Sequence, residues 1–178
     1  MVYNGILEGR FVNLRSVDVL DAEFTLSLRQ DPNLTKYLPK LDITIDQQIN
    51  WIKKQRATEG DYYFVIENKQ GKKIGVIGVY DVTEKSAETG RIAVIGSSIE
   101  SIEAQLLSFD FAYDILHLDY TVNYVMAENI HALRFSQMFG SVSSEPFIDA
   151  DGNMRIDGLI TKESYLKARN KIVKMIYR

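Results

Sequence analysis

The stretch AETGRIAVIGSSIESIEAQLLSFDFAYDILHLDYTVNYVMAENIHALRFSQMFG, residues 87–140, carries the reading of the fold. Residues 91–95, Arg-Ile-Ala-Val-Ile, are short, apolar and β-branched, as a buried strand requires, and Gly96, Ser97 and Ser98 then break the run. Ile102, Leu106, Phe109, Tyr113 and Leu116 recur at helical spacing along one stripe, while Glu103, Asp110 and Asp114 gather on another. Residues 121–126 read as a second strand, and Asn129 opens a second helix that carries Ile130, Leu133 and Phe135 to a stop at Gly140. The unit is strand, loop, helix, strand, helix.

A loop that feeds a helix N-terminus presents unpaired backbone N–H groups and the positive end of the helix dipole, and phosphate groups bind there. Gly96, Ser97 and Ser98 stand where that loop falls. They fit equally an ordinary strand-to-helix turn with serine as the N-cap, and local sequence leaves both readings open.

Working outward toward the N-terminus, residues 10–15 alternate Val12 and Leu14 with polar neighbours and predict a first strand. Ser16 then caps a helix through about residue 29, with Leu20, Phe24 and Leu28 on one face, and Asp31-Pro32-Asn33 ends it. Thr44 and Gln47 have capping-box spacing, so a second helix carries Ile49, Trp51 and Ile52. Residues 62–67 and 73–82 predict strands joined by a Gln70-Gly71 turn, and residues 87–95 add a third antiparallel strand. After Gly140, residues 141–148 and 154–161 predict a closing hairpin turned by Asp149-Ala-Asp-Gly152. Together these give a mixed α+β sheet with helices on its faces.

Composition narrows the function. The chain has 178 residues, 46% hydrophobic and 25% charged, which suits one domain over residues 1–178 with a substantial core. It has no cysteine, which rules out disulfides, a thiolate metal site and a cysteine nucleophile. With His117 and His131 alone, a histidine-rich metal site is not expected, and no metal is assigned. There is no apolar run long enough to span a membrane and no leader pattern at residues 1–5, so a soluble cytoplasmic protein is the expectation. A net charge of −3 argues against nucleic acid as a partner. Lys167, Arg169, Lys171, Lys174 and Arg178 make a basic tail that reads as a solvated terminal face.

Ala87-Glu88-Thr89-Gly90, Glu103-Ala104-Gln105-Leu106-Leu107 running to Ala112-Tyr113, and Ala127-Glu128-Asn129-Ile-His-Ala132-Leu-Arg-Phe135 ending at Gly140 together resemble the GNAT superfamily of acetyl-CoA-dependent N-acetyltransferases. Leu7-Glu8-Gly9-Arg10-Phe-Val-Asn-Leu14-Arg15, then Asp21-Ala22, then Asp31-Pro32-Asn33 with Tyr37-Leu38-Pro39, resemble the opening of its branch of ribosomal-protein N-terminal, polyamine and nucleotide-amino-sugar acetyltransferases. Residues 151–165 resemble that branch's final hairpin, so the likeness spans nearly the whole chain. It implies a splayed, mostly antiparallel mixed sheet with helices on both faces, and acetyl-CoA as co-substrate. Main chain at Ile92, Ala93 and Val94 would bind the pantetheine arm, and Gly96, Ser97, Ser98, Ile99 and Ser101 the pyrophosphate. Asn129 would bond the cofactor arm; Glu88 matches the family's acceptor-facing glutamate and would be the base; Ser136 falls where many relatives place an acid tyrosine. Tyr37, Leu38, Tyr80 and Asp81 would meet the acceptor.

The family's loop carries a Gln/Arg-x-x-Gly-x-Gly/Ala pattern whose glycines fall here on Ile99 and Ser101, or on Ser97 and Ile99, depending on the end counted from. Glycine allows close approach of backbone to a ligand, so its lack there would crowd a pyrophosphate. The implied activity is acetyl transfer to a primary amine of a small molecule, a nucleotide-linked amino sugar first, with a polyamine or protein N-terminus as the alternative acceptor. A GNAT-fold binding module without catalysis is the alternative class. Dimers are frequent in the family, and no residue pattern here fixes an oligomeric state.

Overall fold

The computed structural model describes residues 1–37 and 41–178. Strands β1 (Ile6–Glu8) and β2 (Val12–Ser16) form a hairpin, and after a 3-10 turn come helices α1 (Ala22–Gln30) and α2 (Ile45–Ala57). Next are strands β3 (Tyr62–Asn68), β4 (Lys73–Tyr80) and β5 (Ser86–Val94), then helix α3 (Ser98–Asp110), which runs through a π-helical turn at Phe111–Ile115. Strand β6 (Tyr120–Met126) and helix α4 (Ile130–Met138) precede short β7 (Val142–Ser143) and β8 (Phe147–Ile148), long β9 (Met154–Thr161) and the closing helix α5 (Lys162–Ile176). Across the sheet the order is β1-β2-β3-β4-β5-β6-β9-β7, with β8 also on β9. Every pairing is antiparallel except β5 with β6. This is the expected α+β fold.

The parallel pairing is short. It joins Ser86 to Tyr120, Ala87 to Thr121 and Glu88 to Val122, although β5 continues to Val94 and β6 to Met126. Beyond Glu88 the strands part: β5 stays with β4, and β6 pairs with β9 along its length. The β4–β5 register slips between Val76 and Gly78, and within that slip Arg91 takes a φ of 50°. A bulge bends and twists the strand that carries it. Here it falls where β5 leaves β6.

Leu14, Phe64, Ile66, Ile77 and Val79 pack beneath Ala104 and Phe111, which belong to the α3 side. Tyr63, Val65 and Val76 point to the other face, against Ala22, Leu28 and Ile52 of α1 and α2. A third cluster, with Leu106, Phe109, Tyr113, Phe139, Tyr165 and Ile172, locks α3 to α5. Burial of each such side chain contributes about 1.5–3 kcal/mol. The π turn sets the division between clusters. At a steady helical period Leu116 would follow Tyr113, yet Leu116 joins the sheet cluster with Phe111 while Tyr113 turns to α5. The Tyr113 hydroxyl donates to the Ile160 carbonyl at 2.7 Å.

Several expectations need correcting. Ser16 ends β2 instead of capping a helix; Asp18 and Asp21 form the capping box, because a 3-10 turn at Val19–Asp21 intervenes. That turn throws Leu20 out to 85% exposure, off the apolar face. A strand, β1, precedes the expected first one. The closing hairpin is broken, with β7 and β8 as two short pieces on β9. The hairpin likeness also ends at Thr161: Ser164 and Tyr165 lie in the first turns of α5, which Thr161 caps. Of the basic residues near the C-terminus, Lys167, Arg169, Lys171 and Lys174 lie on that helix and Arg178 beyond it, and Arg169 binds Asp110 through two nitrogens at 2.7 and 2.8 Å.

Glu103, on α3, is fully buried. Its carboxylate accepts the backbone N–H groups of Arg10, Phe11 and Val12 at 2.8, 2.6 and 2.7 Å, and the Tyr177 hydroxyl at 2.6 Å. Gly9 has to be glycine for this, since a Cβ there would stand 2.5 Å from Glu103 Oε2. The turn between β1 and β2, α3 and the C-terminus therefore meet on one carboxylate. Each buried donor left unpaired costs about 1–3 kcal/mol. Glu103→Ala is expected to lower the unfolding free energy by about 3 kcal/mol or more, and Glu103→Gln by less, as read from midpoints of urea unfolding.

Candidate active site

Glu88 occupies the last residue pair before β5 and β6 separate. Directly across β4 stands Tyr80, and its hydroxyl donates to Glu88 Oε1 in a short hydrogen bond. Burial pushes the Glu88 carboxyl above the usual carboxylate range; the Tyr80 hydrogen bond pulls the other way, the Asp81 carboxylate adds to the rise, and Arg91 and Arg155 oppose it. Burial first, and then Glu88, push the Tyr80 phenol far above its ordinary value. Tyr80 therefore stays a donor and Glu88 an acceptor with one oxygen to spare. Just past this pair the Thr89 hydroxyl reaches the Val122 carbonyl at 3.5 Å.

Two glycines let this pair lie flat on the sheet. A Cβ at Gly90 would sit 2.8 Å from the Tyr80 hydroxyl, and one at Gly78 would crowd the Tyr80 ring at 3.2 Å and the Arg91 stem at 3.3 Å. The Arg91 guanidinium lies 3.8 Å from the Tyr80 ring centroid and holds both oxygens of Asp61 at 2.8 and 3.0 Å. Trp51 of α2 is 5.7 Å from that guanidinium and packs edge-on against Tyr63. On the far side of the opening Tyr124 of β6 carries the Arg155 guanidinium 4.2 Å over its ring. Burial raises the Tyr124 phenol, and the Glu88 and Asp157 carboxylates add to that rise, so Tyr124 lies within electrostatic reach of Glu88.

The edge that β5 exposes is main chain. Ile95 donates to the Ile74 carbonyl at 2.8 Å, so strand alternation turns the N–H group of Val94 toward the gap and that of Ala93 toward β4, while Ile92 lies within the register slip. At the start of α3, Ser97 is the N-cap, and Glu100 folds back onto it. Glu100 Oε2 accepts the Ser97 N–H at 2.7 Å and the Ser97 hydroxyl at 2.8 Å. Gly96 is hemmed in, because a Cβ would meet Ile74 at 2.8 Å and Glu100 Oε2 at 2.9 Å. Ser101 bonds back to the Ser97 carbonyl, which leaves the N–H groups of Ser98 and Ile99 as the remaining first-turn donors. Ile99 is exposed beside Arg10, Phe11 and Lys69.

On α4, Asn129 Oδ1 accepts the Ala132 N–H at 3.1 Å as an N-cap. The Ser136 hydroxyl is paired with the Asn123 side chain of β6 at 3.0 and 3.3 Å. Tyr37 is half-buried, with the Lys36 ammonium 5.0 Å over its ring; Leu38 lies outside the described residues. Glu88, Tyr80 and Asp81 thus gather at the mouth of the gap, residues 96–101 at the α3 end, and Asn129 with Ser136 along α4. Sequence reading missed Asp61, Arg91, Trp51, Tyr124 and Arg155. Two signals pointed to them: Gly78 and Gly90 within strands, where a glycine marks a close approach, and an arginine opening an otherwise apolar strand.

A family model for an acetyltransferase (GNAT) domain matches residues 12–142. No curated protein sequence matches the chain. Among solved structures, the apo form of FdhC, a nucleotide-linked sugar GNAT, superposes with a TM-score of 0.82 at 24% identity, over 98% of this chain and 99% of that one. A spermidine N-acetyltransferase from Vibrio cholerae, in complex with CoA and spermine, superposes at 0.76 and 21% identity over 87% of this chain and 98% of that one. At these identities the likeness is one of fold.

Tyr80→Phe removes the hydrogen bond that stabilises ionised Glu88. The Glu88 carboxyl is expected to titrate at a still higher pH in that variant, as followed by carboxyl-carbon NMR. An unchanged titration would mean the phenol does not hold the carboxylate in solution.

Proposed function

The chain belongs to the GNAT acetyltransferase family, and from that premise we propose that it transfers the acetyl group of acetyl-CoA to a primary amine on a nucleotide-linked amino sugar, with Glu88 as the base. The observation that carries this is the placement of Glu88: a carboxylate with a raised pKa, oriented by Tyr80, at the point where the central strands open. Acetyl-CoA supplies an acetyl thioester; the amine attacks its carbonyl, the C–N bond forms and the C–S bond breaks. The residues present fit that group in part. The Val94 N–H lines the open edge as a donor for the pantetheine arm, and those of Ser98 and Ile99 are free at the positive end of the α3 dipole. The Glu100 carboxylate opposes a second anion at the same place.

In this scheme Glu88 takes the proton from the ammonium, directly or through water, and so makes the amine nucleophilic. Backbone donors of β5 stabilise the developing oxyanion. Asn129 orients the cofactor arm, and Ser136, whose oxygen accepts the Asn123 amide N–H at 3.0 Å, turns its hydroxyl to the departing sulfur while solvent supplies the proton. Tyr80 and Asp81 border the acceptor, with Tyr37 at its outer side. The full-length likeness to FdhC and the aromatic surfaces of Trp51 and Tyr124 support a sugar acceptor. A second reading, polyamine acetylation, is favoured by exposed Asp81 beside Glu88. Thiol release with amino sugars, their nucleotide conjugates, spermidine and N-terminal peptides separates the two. No release with any amine, alongside intact CoA binding, would support a binding module.

Glu88→Gln is expected to lower kcat by about 10²–10⁴ with little change in KM for acetyl-CoA. In the wild type, activity falls as pH drops through the raised Glu88 pKa, because the base must be ionised; that acid limb disappears in the variant. Glu100→Gln removes a like charge from the cofactor loop and is expected to tighten acetyl-CoA binding roughly fivefold, about 1 kcal/mol, by titration calorimetry.

A further inference from the structure

We infer that Tyr124, Arg155 and Phe147 form a subsite for the phosphate-bearing part of the acceptor, with Arg155 as the residue that selects it; this rests on the acetyl-transfer reading above. Arg155 lies opposite Met126 of β6 and Phe147 of β8, and Tyr124 is two residues back along β6 from Met126. Opposed residues share a sheet face, so all four side chains rise on one face. Glu88 pairs with Val122, two residues before Tyr124, which puts the base on that same face.

Arg155 is held by stacking more than by hydrogen bonds. Its guanidinium lies 4.2 Å from the Tyr124 ring and 5.7 Å from the Phe147 ring. Of its five N–H donors, one makes a hydrogen bond, Nη2 to Asp157 Oδ1 at 3.3 Å. Asp149 Oδ2 stays at 4.0 Å from Nη1, beyond hydrogen-bond distance, while its Oδ1 accepts the backbone N–H groups of Asp151 and Asn153. Nε is buried with no partner among the described residues. Contrast Arg15, which spends Nε, Nη1 and Nη2 on Glu67 and Asp21. A guanidinium stacked on a ring keeps its donors in its own plane, the arrangement that binds an oxyanion by two parallel hydrogen bonds.

Spacing suits the same assignment. Arg155 starts from the Met126 position, two such steps beyond the Val122 position of Glu88, but its guanidinium reaches back over the Tyr124 ring, one two-residue step of about 6.6 Å along β6 from Glu88. That step is comparable to what one sugar ring puts between an amine on its far side and a phosphate on its anomeric oxygen, so an amine at Glu88 would carry its diphosphate toward the Arg155 guanidinium. A polyamine would meet a cation there.

The test is calorimetric titration of UDP into the protein saturated with CoA, so that the cofactor site cannot take the nucleotide. Wild type is expected to bind UDP, Arg155→Gln at least tenfold more weakly, and Arg155→Lys in between because it keeps the charge without the fork. Uridine, without phosphate, is expected to bind equally weakly to wild type and Arg155→Gln. Equal UDP affinity in wild type and Arg155→Gln, or no UDP binding to the CoA-loaded wild type, would overturn the subsite. Melting curves show whether each variant is folded, and Tyr124→Leu, which removes the platform and keeps the charge, should also weaken UDP. If CoA itself does not bind, the acetyl-transfer reading has failed, and the same UDP comparison on the CoA-free protein still decides the subsite.

Discussion

A single buried carboxylate holds the N-terminal and central parts of this molecule in register. Glu103 binds three consecutive backbone N–H groups in the β1–β2 turn and the hydroxyl of Tyr177 near the C-terminus. A charge in so dry a place persists only when its hydrogen-bonding capacity is filled. The turn must therefore keep one shape, which is why Gly9 precedes it. α3 in turn cannot rotate without breaking four bonds, and α3 is the helix whose first turn borders the candidate cofactor loop. Core position and loop position are fixed by the same group.

The second constraint is the way side chains lie on the central strands. Gly78 and Gly90 clear a flat track across β4 and β5, and the Tyr80 ring and Arg91 guanidinium fill it. Arg91 adopts its left-handed backbone within the bulge and is held there by Asp61, and the same guanidinium lies over the Tyr80 ring and opposes the rise of the Glu88 carboxyl. Strand bending and the electrostatics of Glu88 thus share the same atoms.

Much of this was legible in the chain. The strand-loop-helix-strand-helix unit followed from apolar spacing, and the Thr44–Gln47 capping box and the Ser97 cap followed from local chemistry. Other features depend on partners distant in sequence. Glu103 looked like one of a polar stripe with Asp110 and Asp114, because nothing local reveals that three N–H groups from residues 10–12 await it. Leu20 fitted an apolar face until a 3-10 turn changed the phase. Glu88 and Asn129 were named from family likeness, whereas the partners of Arg91 and Arg155, Asp61 and Tyr80 for the one and Tyr124 and Phe147 for the other, are set by how the strands are brought side by side. Pairing across a sheet is not written in the spacing along a strand.

The parallel seam between β5 and β6 has a mechanical meaning. Among the described residues, three residue pairs join the N-terminal five strands to the C-terminal four within the sheet, so the molecule behaves as two half-sheets laced together at one end. What sets their separation is the helical packing behind them, where Leu106, Phe109 and Tyr113 of the α3 segment meet Phe139, Tyr165 and Ile172. The width of the slot is therefore governed from its back: a change of volume in that aromatic cluster, out of reach of any ligand, would open or narrow the front as a wedge does. Selection on acceptor size can act on residues that never touch the acceptor.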